Sequence, residues 1–283
     1  MKTRRIKTIL LFLSTMPFIG IYAQSIYYVS PHASSGGDGG PATPFHIIHE
    51  AVEKARKDKN CTTIYLREGE YFLDTPLVLT SADGNDSKEL IIRNYPGEKA
   101  IISSGITLDL KWEKYKNGIM RAAVKGNPVM DMLIVNGDLR SMARYPDYDK
   151  TAVRFNGTSA LATAPERVKK WKNPEGGYLH AMHSHDWGDF HYRITGKNEK
   201  GELQLEGGWQ NNRPMGIHPE NRMVENIFEE LDAPGEWYYD KQEGWLYYYP
   251  LSDENINELV FETPQLKNLI EIAGTSSHPV KNI

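Results

Sequence analysis

The densest run of reactive side chains is His180-Ala-Met-His183-Ser-His185-Asp186-Trp-Gly-Asp189-Phe-His191, which mixes the imidazoles and carboxylates that ligate zinc. In an extended strand His183 and His185 share a face. Their spacing fits no zinc motif, and a polar, aromatic strand end explains the composition as well, so no metal ligand is assigned. Glu229, Glu230, Asp232 and Glu236 offer carboxylates for acid and base work, which needs two such groups about 5–10 Å apart across a scissile bond. Adjacent strand residues point to opposite faces, so Glu229 and Glu230 pair poorly, and the cluster reads as charge on a solvated turn. The run Trp237-Tyr238-Tyr239, with Trp245, Tyr247, Tyr248 and Tyr249 beyond it, supplies faces of the kind that stack on a pyranose ring. Alternation sends some of these rings into a core. Trp237, Tyr238 and Tyr248 are the candidates for substrate contact. Asp83-Gly-Asn-Asp86 has oxygen ligands for calcium but lacks the later glutamate of an EF-hand loop, and reads as a turn. Gly36-Gly37-Asp-Gly39-Gly40 lacks the lysine and the strand-to-helix setting of a phosphate loop.

The elements that must position these residues begin with a β-rich run, Ser25 to Ser30, and a Gly, Ser and Pro loop through Ala42. A helix is predicted next, capped by Thr43 with Pro44 at its first position. Ile48, Ala51, Val52 and Ala55 recur on one face of it. Short apolar runs follow at Thr62–Leu66, Pro76–Thr80, Glu89–Arg93 and Ala100–Ser103, split by turn residues at intervals too short for crossover helices. Two architectures fit, an antiparallel sandwich and a β-solenoid, and a helix ahead of such strands suits the cap of a solenoid. All six tryptophans fall between Trp112 and Trp245, which marks a second β-rich core with turns at Asn136-Gly137 and Gly207-Gly208 and a hairpin around Gly244. Short runs resume at Glu258–Glu262 and Asn268–Ile272.

The first residues, Met1-Lys-Thr-Arg-Arg-Ile-Lys followed by an apolar run to Tyr22 and then Ala23, have the layout of a cleavable signal peptide. The run is shorter than the roughly 20 residues that span a bilayer, and no second one follows, so export without a membrane span is expected. No cysteine follows it to carry a lipid. The destinations left open are periplasm, cell surface and medium. Cys61 is the single cysteine, which leaves stability to burial rather than disulfides. A net charge of −4 with scattered basic residues argues against a nucleic-acid partner.

The wording of Tyr28-Val-Ser-Pro31, Ile64-Tyr-Leu-Arg-Glu-Gly-Glu-Tyr71, Pro76-Leu-Val-Leu79, Tyr95-Pro-Gly-Glu98 and Ala100-Ile-Ile-Ser-Ser-Gly105 resembles the opening of bacterial right-handed parallel β-helix proteins that act on carbohydrate. Leu133-Ile-Val-Asn-Gly137, Ala143-Arg-Tyr-Pro146 and Asn226 through Trp237 resemble proteins related to glycoside hydrolase family 141. That resemblance implies an all-β, right-handed parallel β-helix with a capping helix, interrupted by an inserted sandwich or barrel-like domain and truncated at its C-terminus. The expected boundaries are a signal peptide over 1–23, cap and first coils over 24–110, the insert over 111–257 and resumed coils over 258–283. It further implies a glycosidase of plant cell-wall glycans, such as fucosylated pectin side chains or xylan. Catalytic carboxylates are expected C-terminal to Ile283, so whether the chain as it stands is an enzyme is open. No cofactor is expected, and the oligomeric state is not specified. A polysaccharide lyase and a non-catalytic adhesive or glycan-binding module are the alternatives.

Overall fold

The computed structural model describes residues 24–208 and 216–283, so the expected signal peptide and Trp209 lie outside the described residues. The chain divides into two compact units: 24–71, 76–102 and 270–283 form the first, and 72–75 with 103–269 form the second.

In the first unit the β-branched and aromatic runs Gln24–Val29, Cys61–Leu66 and Leu90–Asn94 pair in parallel, Gln24 beside Cys61 and Thr62 beside Leu90. This register sets Tyr28 against Tyr65, with ring centroids 5.8 Å apart. The helix Ile48–Lys57 buries the apolar stripe Ile48, Ala51, Val52 and Ala55. It starts later than Thr43 and Pro44 predict. The backbone of Phe45 is already claimed, its N–H by Tyr28 and its carbonyl by Ser30, while Thr43 bonds Asp38. At the other end the buried Lys88 ammonium donates to the Ala55 and Arg56 carbonyls, satisfying groups the last turn leaves open. In the last turn of that helix Arg56 forks onto Asp83 at 2.9 and 3.0 Å. Leu77–Thr80 completes the unit by pairing in parallel with Ile270–Ala273.

The second unit holds two larger sheets. One runs, neighbour to neighbour, Gly105–Thr107, Phe261–Pro264, Leu133–Val135, Asp138–Met142, Glu236–Asp240, Trp245–Tyr248, Met120–Ala123, Glu113–Lys114. The other runs Arg144–Tyr145, Ile217–Glu225, Tyr178–His183, Asp189–Lys197, Leu203–Gly207. Beneath the first sheet lie Leu133, Val135, Trp237, Leu246, Tyr248 and Phe261. Trp171, Leu179, Ile194, Val224 and Ile227 form a separate core with the second. Full burial of a tryptophan such as Trp237 contributes a transfer term of about 3–5 kcal/mol before entropy is charged against it.

The expected right-handed parallel β-helix, with its sandwich or barrel-like insert, is not what these residues form. Parallel pairing in the first unit is confined to small sheets of two or three strands. In the two large sheets the pair Asp138–Met142 with Glu236–Asp240 is parallel and the other described pairs are antiparallel. The reason is local. Asn136 and Gly137 both take positive φ, 51° and 85°, which turns the chain straight back in a two-residue hairpin. Gly244 at φ 71° closes the hairpin that returns Trp245–Tyr248 along Glu236–Asp240, as the sequence predicts. A chain folding back on itself in this way lays down antiparallel neighbours, where a solenoid needs each coil to advance.

Candidate functional site

The hairpin Glu236–Tyr248 contributes to two of the cavities that open among the described residues of the second unit. Strand alternation sorts its rings: Trp237 lies opposite Tyr248 on the core side, and Tyr238 lies opposite Tyr247 on the other. Trp237 and Tyr248 are fully buried. The Trp237 indole N–H donates to the Arg140 carbonyl, and the Tyr248 hydroxyl donates to Glu254 at 2.7 Å while its ring packs edge-on to Phe261. Tyr238 is half-buried. It lines a cavity of about 630 Å³ with Tyr178, Arg193, Phe228, Glu229 and Tyr247, and burial pushes its phenol up to about 12. Phe228 sits 5.3 Å from Tyr238 and 4.9 Å from Tyr247, so the wall is an aromatic cluster with charged groups beside it.

The second cavity, about 610 Å³, is built around Glu236. Ala233-Pro234-Gly235-Glu236 is a turn with proline at its second position and glycine, φ 89°, at its third, closed by the Glu236 N–H on the Ala233 carbonyl at 3.3 Å. The turn delivers Glu236 to the start of its strand beside Ser141, with 2% of its surface exposed. One carboxyl oxygen, Oε2, accepts long hydrogen bonds from the Asp232 and Ala233 N–H groups, at 3.4 and 3.3 Å. The other, Oε1, is buried without a partner. Burial raises this carboxyl to about 8, with the backbone donors pulling the other way and the charges of Asp147 and Asp232 adding to the rise. Desolvation likewise pushes Asp232 up. Glu236 is therefore an acid that still holds its proton at neutral pH.

Around it stand Asp131, Asp147 and Glu225, together with two arginines that are already committed. Arg140 pairs with Glu254 at 2.7 Å. Arg144, 4% exposed, gives Nε to the Pro146 carbonyl and Nη2 to those of Phe155 and Gly157. Burial lowers its affinity for the proton, with Glu225, Glu236 and Asp147 opposing that effect.

Glu225 also begins a chain of polar contacts running away from the cavity. His180 Nε2 meets it at 2.7 Å, His180 Nδ1 meets His191 Nδ1 at 2.6 Å, and His191 Nε2 meets Asp189 at 3.1 Å. The two histidines face each other across paired strands. His183 and His185 do not join them. The strand ends at His183, which accepts from the His185 N–H and stacks on Trp187 at 5.6 Å. Among the described residues no group of three His, Cys, Asp or Glu is arranged to hold a metal.

The acidic run is also placed differently from a solvated turn. Glu230 is 4% exposed and accepts from Arg167 and from the Trp171 indole, both at 2.6 Å, while Glu229 accepts from the Lys172 N–H. Asp83 is buried against Arg56 and Thr80, and Asp86 pairs with Lys281. Sequence reasoning read Glu236 as charge on a solvated turn, whereas it is buried, and gave Arg144 no role of its own. The signal available for Glu236 was its place at a strand start, after Pro-Gly and before a core tryptophan; Arg144 offered none beyond its apolar neighbours.

No protein-family model matches this sequence, and no curated protein does. Among solved structures, one described as a glycoside hydrolase superposes with a TM-score of 0.67 at 22% identity, over 90% of this chain and 48% of that one. The chain thus spans about half the length of that structure and shares its fold. A complex of XylC with xylose gives a TM-score of 0.40 at 14% identity, covering 87% of this chain and 32% of that one.

Proposed function

We propose that this chain is a portion of an exported glycoside hydrolase acting on complex polysaccharide. The observation that carries the reading is the shared fold with a glycoside hydrolase across 90% of the chain. The motif resemblance extends the proposal to a relative of family 141, with fucosylated pectin side chains or xylan as substrate and with catalytic carboxylates contributed by residues beyond Ile283. Glycan contact on the aromatic side of the hairpin belongs to Tyr238, whose ring lines a cavity, while Trp237 and Tyr248 hold the strands beneath it.

The test is an assay of the protein with its full reading frame on pectic and xylan substrates. Reducing ends without unsaturated-product absorbance are expected. Both signals together would instead mean a lyase, and neither signal, with polysaccharide still retained, would mean a binding module. Tyr238→Ala is expected to weaken retention on a polysaccharide column about 3- to 10-fold, the worth of one aromatic contact. Unchanged retention removes Tyr238 from the site.

A further inference from the structure

The cavity that Tyr238 lines does not end at Tyr238. A smaller one of about 400 Å³ opens beside it in the same unit, and Lys172, Phe228 and Glu229 line both. Phe228 is half-buried and packs 5.3 Å from Tyr238, 4.9 Å from Tyr247 and 6.1 Å from Tyr115, so one aromatic patch carries the wall from the first hollow into the second. The far bank of the second cavity is a hairpin turn. Asn117 and Gly118 both take positive φ, 50° and 84°, which reverses the chain between Glu113–Lys114 and Met120–Ala123 and leaves Lys116 and Asn117 exposed at the cavity wall. The Lys116 ammonium lies 5.8 Å from the Phe228 ring centroid and 5.3 Å from that of Tyr115. Each cavity falls within the range of about 300–1,000 Å³ that encloses a small ligand, so the two together have room for more than one sugar ring.

The polar groups along this path are open to a ligand. The side chains of Lys172, Arg193 and Lys241 in the first cavity and of Asn117 in the second are exposed and make no hydrogen bond or ion pair with another described residue. Glu229 accepts the Lys172 N–H through Oε1 at 2.9 Å and keeps Oε2 for a further donor. Charge is close to balanced: three cationic and four carboxylate side chains line the first cavity, and two of each line the second. A polyanion or a polycation meets as much repulsion as attraction there, whereas hydroxyl groups accept from the ammonium groups and donate to the carboxylates. We infer that the two cavities form one groove for an internal stretch of a neutral oligosaccharide, with one ring on the Tyr238 side of Phe228 and a further ring against Lys116 and Asn117. The inference rests on the glycan reading above and deepens it, from a single aromatic contact to a site that reads chain length. A lone sugar fills one cavity and gains nothing from the other, while a linked ligand brings in its next ring at the high local concentration of a short tether.

The experiment is calorimetric titration of the full chain with xylose, xylobiose, xylotetraose and xylohexaose, and with oligogalacturonate of matching length. Affinity is expected to rise about tenfold between xylobiose and xylotetraose and to level off by xylohexaose, the worth of one more ring with its hydrogen bond. Lys116→Met keeps the stem beside Phe228 and removes the ammonium, and Asn117→Gly keeps the left-handed turn while removing the amide. In each variant the ratio of xylotetraose to xylobiose affinity is expected to fall about 3- to 10-fold. If one variant fails to fold, the other carries the decision. A ratio that survives both substitutions overturns the groove, as does equal affinity for xylobiose and xylotetraose in the unaltered chain. Oligogalacturonate binding tighter than that of xylotetraose overturns the neutral ligand. Saccharide binding that depends on Tyr238 and ignores Lys116 and Asn117 sinks the groove and leaves the glycan reading standing. Absence of all saccharide binding by the unaltered chain sinks both.

Discussion

A carboxyl that ionises only near pH 8 makes folding itself pH-dependent. In the unfolded chain Glu236 loses its proton near the ordinary 4.5, whereas in the folded one it keeps it to about 8. Between those values the folded state binds more protons, so stability falls as pH rises through the window and the cost is absent below it. Glu236→Gln removes that cost, on the order of a few kcal/mol at pH 8.5 and almost none at pH 4.5. The melting temperature of the variant should exceed that of the parent by about 5–10 °C at pH 8.5 and by little at pH 4.5, and an equal offset at both would show that ionisation is not the cause. Asp83 works with the opposite sign: burial would raise its carboxyl, but hydrogen bonds from Arg56 and Thr80 outweigh that and hold it below the usual range. At this scale the sequence showed which residues could do chemistry, yet burial decides what they do. Glu236 reads in sequence as one more acid in a polar turn, and the enclosure that raises it comes from Trp237, Arg144 and the segment bearing Asp147, which folding brings together.

Elements were legible where a turn residue dictates the local path. Asn136-Gly137 and Gly244 fix two hairpins by backbone conformation alone, and the stripe Ile48, Ala51, Val52 and Ala55 marks the buried face of a helix. The helix start was not legible, because Phe45 is held by a strand backbone that a local pattern cannot reveal. Nor was strand direction, since a short apolar run looks alike in parallel and antiparallel sheets. The pairing of Ile134 with Glu262 is settled only by the folded chain. One side chain ties elements distant in sequence. Glu230, in the short helix Phe228–Glu230, accepts from both Arg167 and Trp171, and Arg167 lies 3.2 Å from the Tyr145 ring centroid. Glu230→Ala leaves the buried indole N–H unpaired and is expected to cost about 3 kcal/mol, read as a fall in melting temperature of about 6–10 °C. A shift under 2 °C would mean that water replaces the carboxylate without loss, given roughly 2–4 °C per kcal/mol for chains of this size.

For the molecule as a whole, a net charge of −4 and a sequence pI of about 6.2 predict weakest mutual repulsion slightly below neutrality. Turbidity of concentrated protein is expected to peak near pH 6 and to fall on either side. A peak displaced upward to pH 7 would mean that buried acids such as Glu236, held protonated, contribute less negative charge than their number suggests. Composition gave the β-rich class and the second, tryptophan-rich core, but the path between sheets depends on pairings far apart in sequence, and a parallel solenoid was the wrong extrapolation from short runs. The Arg144 clasp carries a different kind of consequence. It holds the segment from Pro146 to Gly157 by main-chain carbonyls alone, and every amino acid supplies those. Side chains at 147, 148 and 153 can therefore be exchanged over generations without loosening the frame that presents them. One arginine thus leaves the rim of the Glu236 cavity free to vary in side chain while the backbone that carries it stays fixed.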